Sequence, residues 1–137
     1  QDNIVFNFMN KIIVEVSVGE LLDKISILEI KKEKIKDPNK LEFINKEHLI
    51  LKNQLDKSVK KDEKLEKLFQ SLKEINAKLW VIEDEKRQCE KDKKFDEKFI
   101  KLSRDVHFFN DDRAKIKLEI NSHTGSSIRE IKEYTSY

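Results

Sequence analysis

Apolar residues recur at three- and four-residue spacing through most of this chain, and several of the stripes they form carry a charge where another aliphatic belongs. Leu65, Leu68, Leu72, Ile75, Leu79 and Ile82 keep the repeat unbroken, as an amphipathic helix requires. Phe95, Phe99, Leu102, Val106, Phe109, Arg113, Ile116 and Ile120 hold an arginine in the seam, and Leu21, Ile25, Leu28, Lys32 and Ile35 hold a lysine. A charge inside a core needs a partner. The pattern therefore predicts a helical bundle whose centre contains a polar cluster joining helices.

The chain has 137 residues, enough for one core and too few for two. We read residues 1–10 as an N-terminal extension and 11–137 as a single helical domain. Charged residues make up 41%, but Lys+Arg 29 and Asp+Glu 27 nearly cancel to a formal +2. The two signs are also interleaved: Lys60, Lys61 and Lys64 alternate with Asp62, Glu63 and Glu66. That mixture suits a solvated helix face and argues against a nucleic-acid surface, which concentrates one sign. Cys89 has no cysteine to pair with and suits a reducing compartment, and no cysteine pair suggests zinc or an iron cluster. No apolar run is long enough for a bilayer, and residues 1–16 lack the pattern of a signal peptide. A cytoplasmic protein without membrane attachment is expected.

Two glycines and one proline leave little room for irregular structure. Residues 11–16, Lys-Ile-Ile-Val-Glu-Val, are β-branched and short and predict a strand, with a weaker one at 4–8. Ser17 and Glu20 read as a capping box opening a helix over 18–36. Asp37-Pro38 separates it from a second helix over 39–57, whose stripe is Leu41, Ile44, His48, Leu51 and Leu55. A third helix is predicted over 62–90. A fourth, over 96–121, starts at an Asp96 cap stapled by Phe95 and Ile100. At about 27 residues each, the last two favour a long antiparallel hairpin of the coiled-coil kind, an arrangement that often dimerises. Residues 128–134 alternate as a strand does. The two terminal strands are expected to pair into a small sheet that packs on the helices or extends across a dimer.

The stretch Val16-Ser17-Val18-Gly19-Glu20-Leu21-Leu22-Asp23-Lys24-Ile25-Ser26-Ile27-Leu28-Glu29-Ile30-Lys31 resembles the opening of a small family of bacterial and bacteriophage proteins of unknown function. Residues 76–84 (Asn-Ala-Lys-Leu-Trp-Val-Ile-Glu-Asp), Phe95-Asp96 with Phe99-Ile100, and Asn110-Asp111-Asp112-Arg113-Ala114 followed by Lys115-Ile116-Lys117 are similar to the same family. The resemblance covers about residues 12–137. It implies a compact unit and brings no activity with it.

Asp23, Ser26, Glu29 and Lys32 share one side of the first helix; Trp80, Glu83, Asp84 and Arg87 share one side of the third. Arg104, Asp105, His107, Asn110, Asp111 and Arg113 crowd the fourth. The expected polar centre is drawn from Glu29, Lys32, Trp80, Glu83, Asp84, Arg87, Asn110 and Arg113, with Glu29 or Glu83 as the partner of Arg113. Such a cluster either fixes helix register or marks a pocket. Glu20 and Asp23, one turn apart, match half of the magnesium site of all-helical pyrophosphohydrolases, but Glu83-Asp84-Glu85 is followed by Lys86 and Arg87, so the second half is missing. A helical mutase of the chorismate type would use Arg87, Arg104, Arg113, Lys32 and Gln88, at spacings unlike that family's. His48, His107 and His123 have no metal-ligand spacing, and neither a glycine-rich phosphate loop nor a nucleophile elbow is present. Trp80, Phe108 and Phe109 read as core or interface. The expectation is a cytoplasmic interaction or assembly module without cofactor or metal, acting as a homo-oligomer or with a protein partner. The alternative is a small-molecule or nucleotide-processing helical enzyme using a charged pocket between helices.

Overall fold

A computed structural model describes residues 10–137 and shows a mainly α protein of four helices: α1 Val18–Lys34, α2 Pro38–Ser58, α3 Glu63–Asp92 and α4 Glu97–Thr124. Each starts where a side chain can accept a first-turn N–H, as an exposed helix end requires. Ser17 Oγ accepts from Glu20 N, Asp37 from Asn39 N and Lys40 N, Asp62 from Leu65 N, and Asp96 from Phe99 N. The ends follow backbone chemistry. α3 stops at Lys93 and α4 at Gly125, both left-handed, with φ 54° and 67°.

α1 is the central element and packs on all three of the others, while α2 rests on α1 and α3 and α4 form the long hairpin. The main core gathers Leu21, Leu22 and Ile25 of α1, Leu55 of α2, Leu65, Phe69 and Leu72 of α3 and Ile120 of α4. A second, smaller core of Ile82, Cys89 and Leu102 lies further along the hairpin. Burying one such aliphatic side chain is worth about 1.5–3 kcal/mol, so α1 owes its place to its apolar face.

Helix boundaries lie within three residues of the sequence reading, and α4 runs on to Thr124, where Gly125 supplies the left-handed turn. The terminal sheet is not formed: no strand occurs among the described residues, and 11–16 and 128–134 are not paired. The reason lies at the C-terminus. Glu130 bonds Lys117, Ser126 Oγ donates to the carbonyl of Ile128, and the Tyr137 hydroxyl bonds Asp111, so this segment is held along α4. Alternation marks a fit to a pleated surface and does not create one. The strand expected over 4–8, and the extension except for residue 10, lie outside the described residues. The staple expected at α4 is also different. Phe95 and Ile100 are both exposed, and Phe95 meets Phe99 edge-on at 5.2 Å.

Gly19 is required. A Cβ there would stand 2.7 Å from the backbone oxygen of Lys117 and 2.9 Å from Asn121 Oδ1, so α1 and α4 touch backbone to backbone at this point.

Candidate functional site

Asp23, only 2% exposed, is the hub of the polar centre. Helical spacing sets Glu20 and Asp23 on the side of α1 that faces α4, where Arg113 and Lys117 stand one turn apart. Arg113 Nε donates to Asp23 Oδ1 at 3.0 Å and its Nη2 bonds Oδ2, a bidentate pair. Arg113 Nη1 reaches Asn110 Oδ1 at 3.4 Å. From α3, Asn76 Nδ2 donates to Asp23 Oδ1 and to Ser26 Oγ, each at 2.8 Å. Ser26 Oγ in turn donates to the Asp23 carbonyl at 2.8 Å. Lys117 Nζ bonds Glu20 at 2.7 Å and Glu130 at 3.2 Å and stands 3.9 Å from Asp23.

The electrostatics follow from these contacts. Burial alone would raise the Asp23 pKa, but the hydrogen bonds from Arg113 and Asn76 and the charges of Arg113 and Lys117 outweigh it and hold it below the ordinary value. The bond to Asp23 raises Arg113. Burial pulls Lys117 down, yet Glu20, Asp23 and Glu130 together leave it raised. Asp23, Arg113 and Lys117 are ionised at neutral pH. No buried side-chain nitrogen or oxygen among the described residues lacks a hydrogen-bond partner.

A second cluster joins α1, α2 and α3. Lys32 Nζ meets His48 Nδ1 at 3.0 Å, so two of the seam interruptions answer each other across α1 and α2. The other ring nitrogen of His48 lies 3.3 Å from Glu29, and Lys73 bridges Glu29 at 3.3 Å and Glu33 at 3.0 Å. Burial lowers the Lys73 pKa, but the two carboxylates outweigh it and raise it.

Beside the first cluster is an open notch of about 340 Å³, lined by Ile27, Ile30, Asn76, Leu79, Trp80, Glu83, Asp84, Arg87 and Arg113. The eight residues singled out from sequence therefore divide. Trp80, Glu83, Asp84, Arg87 and Arg113 line the notch; Asn110 braces Arg113; Glu29 and Lys32 belong to the second cluster. Glu29 and Glu83 do not hold Arg113; Asp23 does. Glu29 is bonded instead by Lys73 and His48.

The enzyme templates fare as follows. The carboxylates of Glu20 and Asp23 are taken by Lys117 and Arg113, and no group of three or more His, Cys, Asp or Glu among the described residues is placed to hold a metal ion. The mutase set is dispersed: Lys32 goes to His48, Gln88 to Asp92, and Arg104 lies over the Phe108 ring at 5.8 Å. No helix among the described residues is long and apolar enough to cross a membrane.

Sequence reasoning passed over Asn76, Lys117, Asn121 and Glu130. Asn76 had a signal, since it falls one turn after Leu72 on a buried stripe, and Lys117 follows Arg113 by four residues. Asn121 Oδ1 accepts from Gly19 N at 2.7 Å and Ser126 Oγ from Val18 N at 3.2 Å. With Ser17 on Glu20 N, the first three N–H groups of α1 are satisfied. This helix terminus is closed to an anion.

A family model described as "Family of unknown function (DUF6165)" matches residues 12–137. Neither the curated proteins nor the solved structures yielded a match.

Proposed function

We propose a function for this chain, which belongs to that family of unknown function: it is a helical assembly module that associates with further copies of itself. The buried ion-pair network sets helix register, and the segment before α1 supplies the contact. One observation carries the reading. Ile12, Ile13 and Val14 are 90%, 88% and 69% exposed on a tract that belongs to the family match, while the polar centre is saturated by its own partners. Contiguous exposed aliphatics mark contact surfaces, whereas a catalytic group must keep capacity for a substrate.

Light scattering on the full chain tests this. A mass above one chain at micromolar concentration is expected, falling to one chain in Ile12→Lys/Val14→Lys. A parent protein that stays monomeric throughout overturns the reading.

The notch favours a second reading, a small-ligand site, because it gathers five of the residues drawn from sequence and Glu83, Asp84 and Arg87 form no ion pair among the described residues. Trp80 is the only tryptophan, so its emission reports on the notch directly. A saturable change on titration with magnesium and a nucleoside triphosphate, abolished in Arg87→Ala, would support that reading.

A further inference from the structure

We propose that residues 11–15 pair with the same residues of a second copy as an antiparallel ladder centred on Ile13. The proposal rests on the assembly reading and specifies its contact. Lys11-Ile12-Ile13-Val14-Glu15 has a near-mirror chemistry: a cation, three β-branched aliphatics and an anion. A twofold axis through Ile13 places Lys11 opposite Glu15 of the partner subunit, Glu15 opposite Lys11 of the partner subunit, and Ile12 opposite Val14 of the partner subunit. Both ends of the ladder then carry opposite-charge pairs, the arrangement that favours directly opposed residues.

The alternatives are disfavoured by the same charges. In-register parallel pairing sets lysine against lysine and glutamate against glutamate. A slip of one residue reverses the faces of the strand relative to its neighbour. In the centred ladder, period two puts Ile12, Val14 and Val16 on one face and Lys11, Ile13 and Glu15 on the other. Each copy thus adds three aliphatics to a single apolar face. The C-terminal segment does not compete for the tract, because Lys117 and Asp111 hold it along α4. No backbone hydrogen bond ties residues 11–16 to another described segment.

The symmetry of a self-complementary contact gives the test its form. Dimer affinity is measured by sedimentation velocity on the full chain for the parent, Lys11→Glu, Glu15→Lys and the exchanged Lys11→Glu/Glu15→Lys. The tract lies outside the helices, and circular dichroism confirms that each variant keeps them. Each single variant turns two attractive pairs into two repulsive ones and is expected to weaken association about tenfold or more. The exchanged variant is expected to return to within about threefold of the parent. An equimolar mixture of the two single variants is expected to associate more tightly than either alone, since an acidic strand then meets a basic one. In a Cys89→Ala background, Ile13→Cys is expected to form a disulfide-linked dimer when diamide is added as the two-electron oxidant, because its thiols are directly opposed. If Ile12→Lys/Val14→Lys abolishes association but the single variants match the parent and the mixture gains nothing, the ladder is wrong and the assembly reading stands. If the parent is monomeric, both fall.

Discussion

The carboxylate of Asp23 on α1 and the guanidinium of Arg113 on α4 meet through both oxygens and two nitrogens, with the carboxylate buried and the guanidinium partly open to the notch. Each satisfies the other's charge, and Lys117, 3.9 Å from Asp23 but bonded to Glu20 and Glu130, is no equivalent substitute. Arg113→Met should therefore strand a buried carboxylate and cost about 3–5 kcal/mol. Lys117 retains Glu20 and Glu130, so Asp23→Leu/Arg113→Met should return to within about 1 kcal/mol of the parent or exceed it. Urea unfolding of the parent, the single and the double variant measures the cycle. If the double variant is no more stable than the single one, a structural role for the pair is wrong.

The same pair makes stability depend on acid. The folded state holds the Asp23 pKa below its ordinary 3.8, so the unfolded chain takes up the proton first. The contribution is complete above that value and is lost as the pH falls below it and through the folded-state pKa. Denaturation midpoints should be flat for this group between about pH 5 and 7 and drop below about pH 4. The double variant, which lacks the carboxylate, should drop less steeply over the same window.

At Gly19 two effects oppose each other, and their sizes decide the outcome. Alanine is the better helix former by about 0.8–1 kcal/mol, but its Cβ would meet the Lys117 backbone oxygen at 2.7 Å. A backbone atom cannot swing aside as a side chain would. Gly19→Ala should destabilise by about 1–3 kcal/mol, and adding Asn121→Ala should not rescue it. A rise in melting temperature for the single variant would refute the close contact.

The caps that α4 and its following turn give to α1 should rank by burial. Asn121→Ala leaves a buried Gly19 N–H without its acceptor, which costs about 1–3 kcal/mol. Ser126→Ala removes a partly buried cap from Val18 N, worth about 0.5–2 kcal/mol. Chemical denaturation should place Asn121→Ala below Ser126→Ala in stability.

Cys89 gives a local measurement. It is buried in the small core with Ile82 and Leu102, away from the larger core. A bulky disulfide reagent should label it slowly in the native protein and fast in denaturant. Because that core is small, labelling should respond to Leu102→Ala more strongly than to Leu55→Ala at equal loss of global stability.

What the sequence disclosed depended on whether a signal was local. The helices were legible because stripes such as Leu65, Leu68 and Leu72 and caps such as Ser17, Asp62 and Asp96 act over a few residues. The charged interruptions were visible too, but their partners were not: spacing places Arg113 on a face without saying which helix faces it. Asp23 was placed with Ser26, Glu29 and Lys32 on one side of α1 but not matched to Arg113, and Gly19 was passed over because a glycine's closeness to Lys117 exists only once α1 and α4 cross. Residues 11–16 read as a strand from their β-branched residues and 128–134 from alternation, yet the contacts of Glu130 and Tyr137 with α4 decided the second segment.

The opening turn of α1 is completed by Asn121 and Ser126, which lie 102 and 108 residues further along the chain from the groups they accept from. During synthesis, then, α1 leaves the ribosome well before the residues of α4 and its following turn that finish it. A helix of 17 residues is marginal in water by itself, and the contacts that hold this one at its start close a loop spanning most of the polypeptide. Nascent chains halted before Asn121 carry an open helix end at Val18 and Gly19. Native closure of α1 waits for the last turn of α4 to emerge.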